Sequence, residues 1–363
     1  MTTSKTRTRT ASVIGWDIGG AHTKVAQLSS SGRVLQVTQY PCPLWRGIDR
    51  FDALLSQLDA ATDLRGCRHA LTMTGELADI FRDRRDGVRQ LLRHFGKHIA
   101  PSAVRVYSLD GSLRSVAWAQ RHPEQVASAN WHATANWIAH RLDNALLLDI
   151  GSTTSDLIPI RRGRVAAAGA SDAERLRSGE LFYSGVIRTP VMAVVDGVPF
   201  AGAWQRVAAE HFATLADVYH LTGDLAGRED QAETADGRGK SAEDCARRLA
   251  RMLGRDLRAA DLDAWWQVAG FIARTHQDRI RQGLELVLSR YPAAAPVPLV
   301  GAGVGRFLAR RLARQLKFPY MSISDLFAAP PHVQKALAVS APAVAVARLA
   351  IRPAPSSAGS KSC

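Results

Sequence analysis

Asp17-Ile18-Gly19-Gly20-Ala21-His22-Thr23-Lys24 decides how this chain is read. The stretch closes the short apolar run Ser12 to Ile18 and opens a second one, Lys24 to Ser29. Ser30-Ser31-Gly32-Arg33 then turns the chain into Val34 to Tyr40, so the region predicts strand, tight loop, strand, turn, strand. Gly19 and Gly20 permit a turn with positive φ and close approach of the backbone to a ligand. The loop amides can wrap a phosphate. Thr23 adds a hydroxyl and Lys24 an ammonium, while Asp17 offers a carboxylate to Mg²⁺, directly or through water.

The pattern recurs. Ala145 to Ile150 is apolar apart from Asp149, and Gly151-Ser152-Thr153-Thr154-Ser155-Asp156 leads into Leu157 to Ile160. Aligned, Gly15-Trp16-Asp17-Ile18-Gly19-Gly20 matches Leu147-Leu148-Asp149-Ile150-Gly151-Ser152. An ordinary glycine-rich hairpin is the plainer reading of one such loop. Two copies about a domain apart rarely arise by chance, and an internal repeat predicts two related domains facing each other. Gly19, Gly20, Thr23, Gly151, Ser152, Thr153 and Thr154 are therefore the phosphate-binding candidates, and Asp17 and Asp149 the metal candidates. A third element, Gly301-Ala302-Gly303-Val304-Gly305, follows a strand and precedes a helix, where a ligand can meet backbone at a helix N-terminus. Gly301 and Gly303 join the phosphate set, and a nucleotide or other head group is expected in an interdomain cleft.

Bulk properties narrow the class. A chain of 363 residues suggests two or three domains. The formal charge of +14 comes largely from scattered arginines at helical spacing, such as Arg247, Arg248, Arg251, Arg255 and Arg258. That reads as a solvated helix face, and without aromatic-basic interleaving it argues against a nucleic-acid partner. Cys42, Cys67, Cys245 and Cys363 form no metal-type spacing, so reduced thiols and a cytoplasmic location are expected. No apolar run is long enough for a membrane span. The expected layout is α/β: a disordered tail over 1–11, a first domain over 12–142, and a second over 143–330 with a helical insertion near 200–290. A C-terminal helix over 331–352, interrupted at Pro342, and a disordered tail over 353–363 complete it. Leu77 to Gly96, broken near Gly87, and Pro123 to Leu142 read as further helices.

Three other features carry chemistry. Glu76 follows the strand His69 to Thr74; a carboxylate there serves as general base or metal ligand, or merely stabilises a helix start. Thr234-Ala235-Asp236-Gly237-Arg238, with Lys240, Asp244 and Cys245 after it, is either a substrate loop or a solvated connection. Asn130-Trp131-His132 lies on a helix, with Trp131 reading as core and His132 as a satisfied histidine.

The loops resemble the hydantoinase A/oxoprolinase family, within the actin/hexokinase/Hsp70 (ASKHA, ribonuclease H-like) superfamily. The first two loops look like its phosphate motifs, and Gly301 to Gly305 like its adenosine-side motif. Its large members carry extra domains that this chain lacks. A closer resemblance is to the short branch linked to the tetrahydromethanopterin one-carbon pathway. It is carried by Leu71 to Asp79, Ala127-Ser128-Ala129-Asn130-Trp131, Tyr183 to Pro190, Phe212 to Tyr219 and Glu233 to Arg238. That resemblance implies a transferase of methanofuran or methylofuran synthesis. It would join an aminomethylfuran-methyl diphosphate to a tyrosine- or tyramine-type phenol, with release of diphosphate. It implies Mg²⁺ and Lys24 as charge neutralisers, Glu76 as base with Asp236 and Asp244 as rivals, and Arg188 with Asn130 and Trp131 at the substrate. ATP remains open as a ligand, as does an ATP-dependent hydrolase or kinase on the same fold. Homo-oligomerisation also remains open.

Overall fold

Strand-forming runs and alternating burial set up two sheets built on one plan. The computed structural model describes residues 13–61, 64, 66–291 and 296–351, so both predicted tails lie outside the described residues. The chain divides into two units, one of residues 1–137 and 324–363, the other Ile138–Ile323.

The first unit opens with β1 (Val13–Ile18), β2 (His22–Leu28) and β3 (Val34–Pro41), the predicted meander. Next come α1 (Asp49–Ala61), β4 (Arg68–Met73), α2 (Arg84–His98), β5 (Val104–Tyr107), β6 (Leu113–Ser115), α3 (Val116–Arg121) and α4 (Asn130–Ala139). The sheet order is β3-β2-β1-β4-β5-β6, with β4 parallel to β1 and β5 parallel to β4. β1 is buried throughout: Ile14, Trp16 and Ile18 enter a core with Phe51, Leu55, Leu91 and Phe95.

The second unit runs β7 (Ala145–Ile150), β8 (Ser155–Arg161), β9 (Arg164–Val165), α5 (Asp172–Ser178), β10 (Leu181–Phe182), β11 (Gly197–Phe200) and β12 (Ala203–Arg206). It continues with α6 (Leu215–Leu221), α7 (Ala242–Met252), α8 (Leu262–Leu288), β13 (Leu299–Ala302), α9 (Arg306–Gln315) and β14 (Tyr320–Ser322). Its sheet order, β10-β8-β7-β13-β14, repeats that of β3-β2-β1-β4-β5. This is the duplicated ribonuclease H-like plan of the two-domain actin/hexokinase/Hsp70 fold.

Two last helices, α10 (Pro331–Val339) and α11 (Ala341–Ile351), belong to the first unit rather than standing apart. The break falls at Ser340, and Pro342 sits in the first turn of α11, where its missing N–H costs nothing. Gly15 is the contact point: a Cβ there would lie 1.9 Å from the Ala343 carbonyl oxygen and 2.8 Å from Ala347 Cβ. Gly15→Ala is expected to push α11 off the sheet and cost about 3 kcal/mol in a urea titration; an unchanged midpoint would show that the close approach is dispensable.

Three helix predictions need correction. α2 starts only at Arg84, because Asp83 caps it by accepting from the Asp86 amide, and Gly87 lies inside it against the Glu76 backbone. Pro123 begins a 3₁₀ turn, and α4 waits until Asn130 because Ser128 adopts φ +50°. The region from 200 is not wholly helical: β11 and β12 form a hairpin turned by Ala201 and Gly202, both with positive φ.

Candidate functional site

In the first unit the Gly19 amide donates to the His22 carbonyl at 3.0 Å, closing a two-residue turn. Neither Gly19 nor Gly20 has positive φ, so the expected reason for these glycines is replaced by space. A Cβ at Gly19 would lie 2.6 Å from the His22 oxygen, whereas Gly20 faces open space on its outer side. Packing therefore does not demand glycine at position 20, whose carbonyl accepts from the Leu44 amide at 2.9 Å. The register sets Asp17 opposite Lys24 and Ile18 opposite Thr23. Opposed residues share a face. Asp17 is buried, and Lys24 Nζ lies 3.3 Å from its Oδ2. The other oxygen, Oδ1, has no hydrogen-bond partner among the described residues. Thr23 is fully buried on the opposite face, with its hydroxyl toward Cys42. That corrects its assignment as a phosphate ligand, because strand alternation turns its side chain into the core.

The second unit repeats the device. Gly151 donates to the Thr154 carbonyl at 2.8 Å, and Asp149 pairs in register with Asp156. Where the first hairpin has Lys24 the second has Asp156, and buried Arg175 neutralises it. The amides of Val186, Ile187 and Arg188 donate to the carbonyls of Gly151 and Ser152 at 3.0, 3.1 and 2.9 Å. A Cβ on Gly185 would lie 2.5 Å from the Ser152 carbonyl carbon, and Ser155 Oγ donates to the Ser184 carbonyl at 2.7 Å. The segment 184–188 therefore braces the loop from behind, while the Arg188 side chain is exposed. Ser152, Thr153 and Thr154 stay partly exposed. Gly303, at φ +81°, lies so close to Asp149 that a Cβ would sit 2.6 Å from its Oδ1. The Gly305 amide donates to the Ile150 carbonyl at 2.8 Å. Gly301 is used differently, since Tyr320 and Ala309 occupy the space beside it.

Glu76 lies in a 3₁₀ turn after β4, fully buried rather than facing open space. Ser128 Oγ donates to its Oε1 at 2.8 Å, and Oε2 has no partner among the described residues. Burial pushes the carboxyl up to about 7 against the pull of Ser128. Its rivals are committed elsewhere. Burial would raise Asp236, but the Arg238 amide and Arg248 hold it below its ordinary value. Arg248 is wholly buried and also binds Asp217 at 2.7 Å. The loop 234–239 is thus clamped by an arginine. Asp244 accepts from the hydroxyl of Ser241, the residue that caps α7, and pairs with Arg247, and both contacts lower its pKa.

Asn130 opens α4, half-buried. Trp131 is buried, its ring edge-on to His132, which corrects its assignment to the substrate. His132 Nδ1 lies 2.9 Å from the Tyr107 hydroxyl, as a satisfied histidine should. Several residues here were missed from the sequence. Ser128 supports Glu76, Arg175 neutralises Asp156, and Thr72 lies in register beside Asp17 with its hydroxyl buried and unpartnered among the described residues. A polar residue inside the otherwise apolar run Ala70 to Met73 was the signal for Thr72; for Ser128 and Arg175 there was none.

The family pattern for hydantoinase/oxoprolinase matches residues 68–352. The (4-{4-[2-(gamma-L-glutamylamino)ethyl]phenoxymethyl}furan-2-yl)methanamine synthase of Methanocaldococcus jannaschii is 30% identical over 280 residues, covering 77% of this chain and 82% of that one. The synthase of that name from Methanococcus vannielii is 29% identical over 158 residues, covering 43% of this chain and 71% of that one. Among solved structures, nucleotide-free acetone carboxylase superposes with a TM-score of 0.53 at 11% identity, covering 84% of this chain and 67% of that one. That likeness is one of fold.

Proposed function

This chain belongs to the hydantoinase/oxoprolinase family, and from that premise we propose that it is an ether-forming transferase of methanofuran-type cofactor synthesis. Its substrates are an aminomethylfuran-methyl diphosphate and a tyrosine- or tyramine-type phenol. The C–O bond between the furan methylene and the diphosphate breaks, with the electron pair leaving on the diphosphate. The phenol oxygen forms the new C–O bond, and its proton passes to a carboxylate. The furan ring delocalises positive charge at the methylene as the bond breaks.

One observation carries this reading. The segment 184–188, within the stretch that resembles the one-carbon branch, is hydrogen-bonded directly to the second hairpin loop. One stretch that marks the branch and one loop suited to phosphate are thus a single piece of structure. Amides and hydroxyls at Ser152 to Thr154 suit phosphate oxygens, Lys24 suits the charge of a leaving group, and Arg188 suits the acceptor's carboxylate. Glu76 takes the proton at its unpartnered Oε2.

Mg²⁺ fits the donors present. Asp17 Oδ1 is a buried oxygen without a partner, and no group of three His, Cys, Asp or Glu among the described residues forms a cage. Mg²⁺ commonly takes one or two carboxylates and completes its shell with water and phosphate oxygens. Asp17 would supply such a carboxylate, and the ion would stabilise charge on the leaving diphosphate.

The test is an incubation of purified protein with synthetic furan diphosphate and each phenol in turn, read by mass spectrometry. One ether per diphosphate released is the expected result. Hydrolysis of Mg-ATP with no ether from any acceptor would replace this reading with an ATP-dependent hydrolase or kinase. We also place the enzyme in the cytoplasm; among the described residues no single helix is long and apolar enough to cross a membrane.

A further inference from the structure

The second unit holds a cavity of about 580 Å³ that shares no residue with the loop 151–154, its brace 184–188 or the glycines 301–305. Pockets for small organic molecules run from about 300 to 1,000 Å³. Three aromatic rings line it, Phe200 at the β11–β12 turn and Trp266 and Phe271 on α8, beside polar side chains that include Thr222, Gln267 and Gln277. Trp266 is 56% exposed, yet its indole N–H is fixed on the Leu221 carbonyl at 2.7 Å. The ring is held in place and left uncovered. Phe200 is fixed as well, stacked on Trp265 with centroids 5.1 Å apart.

Gly270 shows what the cavity is for. α8 contains two glycines, and only one is explained by packing. A Cβ at Gly283 would lie 2.1 Å from the Phe182 ring. At Gly270 the one neighbour within 4 Å is Arg274 Nη1, at 3.3 Å, the far end of a flexible side chain. Glycine inside a helix costs stability relative to alanine. Here the residue keeps open the cavity floor, not a contact of the fold.

Charge selects the ligand. Arg311 and Asp224 both line the cavity and neutralise each other as an ion pair. Arg274 is exposed and makes no hydrogen bond or ion pair among the described residues, so it presents an unused fork matched to a carboxylate. We propose that this cavity is a binding site for a flat aromatic carboxylate, its ring against Trp266 and Phe271 and its carboxylate on Arg274.

Calorimetric titration of the full chain with 3-(4-hydroxyphenyl)propionate, 4-ethylphenol and glutarate tests it. The propionate, which carries both ring and acid, binds at one site, and the other two bind at least about 10-fold more weakly. Arg274→Gln weakens the propionate by at least about 10-fold, and Gly270→Leu fills the floor and abolishes binding. Gly270→Leu also melts no lower than wild type, because leucine is the better helix former. Arg188→Gln, outside the cavity lining, binds the propionate as wild type does, which separates this site from the proposed acceptor site. Absence of saturable binding, binding that survives both cavity substitutions, or loss of binding in Arg188→Gln would each overturn the proposal.

Discussion

Asp17→Asn is expected to lower the turnover of ether formation by about 10²- to 10³-fold, the usual effect of removing one group aimed at developing charge. Its thermal midpoint should stay within about 4 °C of wild type, since a partly exposed ion pair contributes about 1 kcal/mol or less. The two halves of the prediction rest on the two carboxylate oxygens. Oδ2 lies 3.3 Å from Lys24 Nζ, which is a quarter exposed, so asparagine loses little there. Oδ1 has no hydrogen-bond partner among the described residues and no internal interaction to lose. A buried oxygen without a partner is costly unless something outside the chain uses it. Steady-state kinetics and a melt on one preparation decide the matter. Intact turnover would remove Asp17 from the metal role, and a collapsed melt would make it a structural residue.

Glu76→Gln should have an effect of similar size, with a separate signature in pH. Loss of a general base costs about 10²- to 10⁴-fold in kcat. The wild-type rate should rise with pH through about 7 as the carboxyl ionises, and the variant should lack that limb. Stability moves the other way. The folded carboxyl sits near 7, above its ordinary 4.5, so the folded state holds the proton more tightly than the unfolded chain does. That contribution is fully present below pH 4.5 and is lost as pH rises through 7. It amounts to roughly 3 kcal/mol for a group this deeply buried. Wild type should therefore weaken between pH 5 and 8 in urea titrations, while Glu76→Gln, which keeps an acceptor for Ser128, stays flatter. A variant that keeps the wild-type activity limb would show that the phenol proton goes elsewhere.

The hairpins were legible because their chemistry is local. A strand ending in aspartate, two small residues and a second strand need no tertiary information, and the repeat at Asp149 identified the duplication. The register could also have been read: with Ile18 in the core, the residue opposite it, Thr23, must point there too. Glu76 was placed after the right strand but not at the right depth. Its burial depends on Gly87 packing against its backbone and on Ser128, 52 positions away, reaching its carboxylate. The clamp on Asp236 was hidden for the same reason, since Arg248 looked like one arginine in a solvated stripe. The hairpin at 197–206 was missed because its strands are short and its turn signal is a single Ala-Gly step.

The packing of α11 on Gly15 has a consequence for how the protein is made. The second unit is continuous in sequence and is complete once residue 323 has emerged. The first unit begins the chain, yet its central strand lies against a helix that ends at Ile351. At about 5–20 residues per second on the ribosome, β1 waits roughly 10–40 s between the emergence of its own domain and the arrival of α11. The order of birth is thus reversed, with the later-encoded unit able to finish first. Through that interval the apolar face beside Gly15 is uncovered, which marks it as the surface a chaperone would guard on the nascent chain.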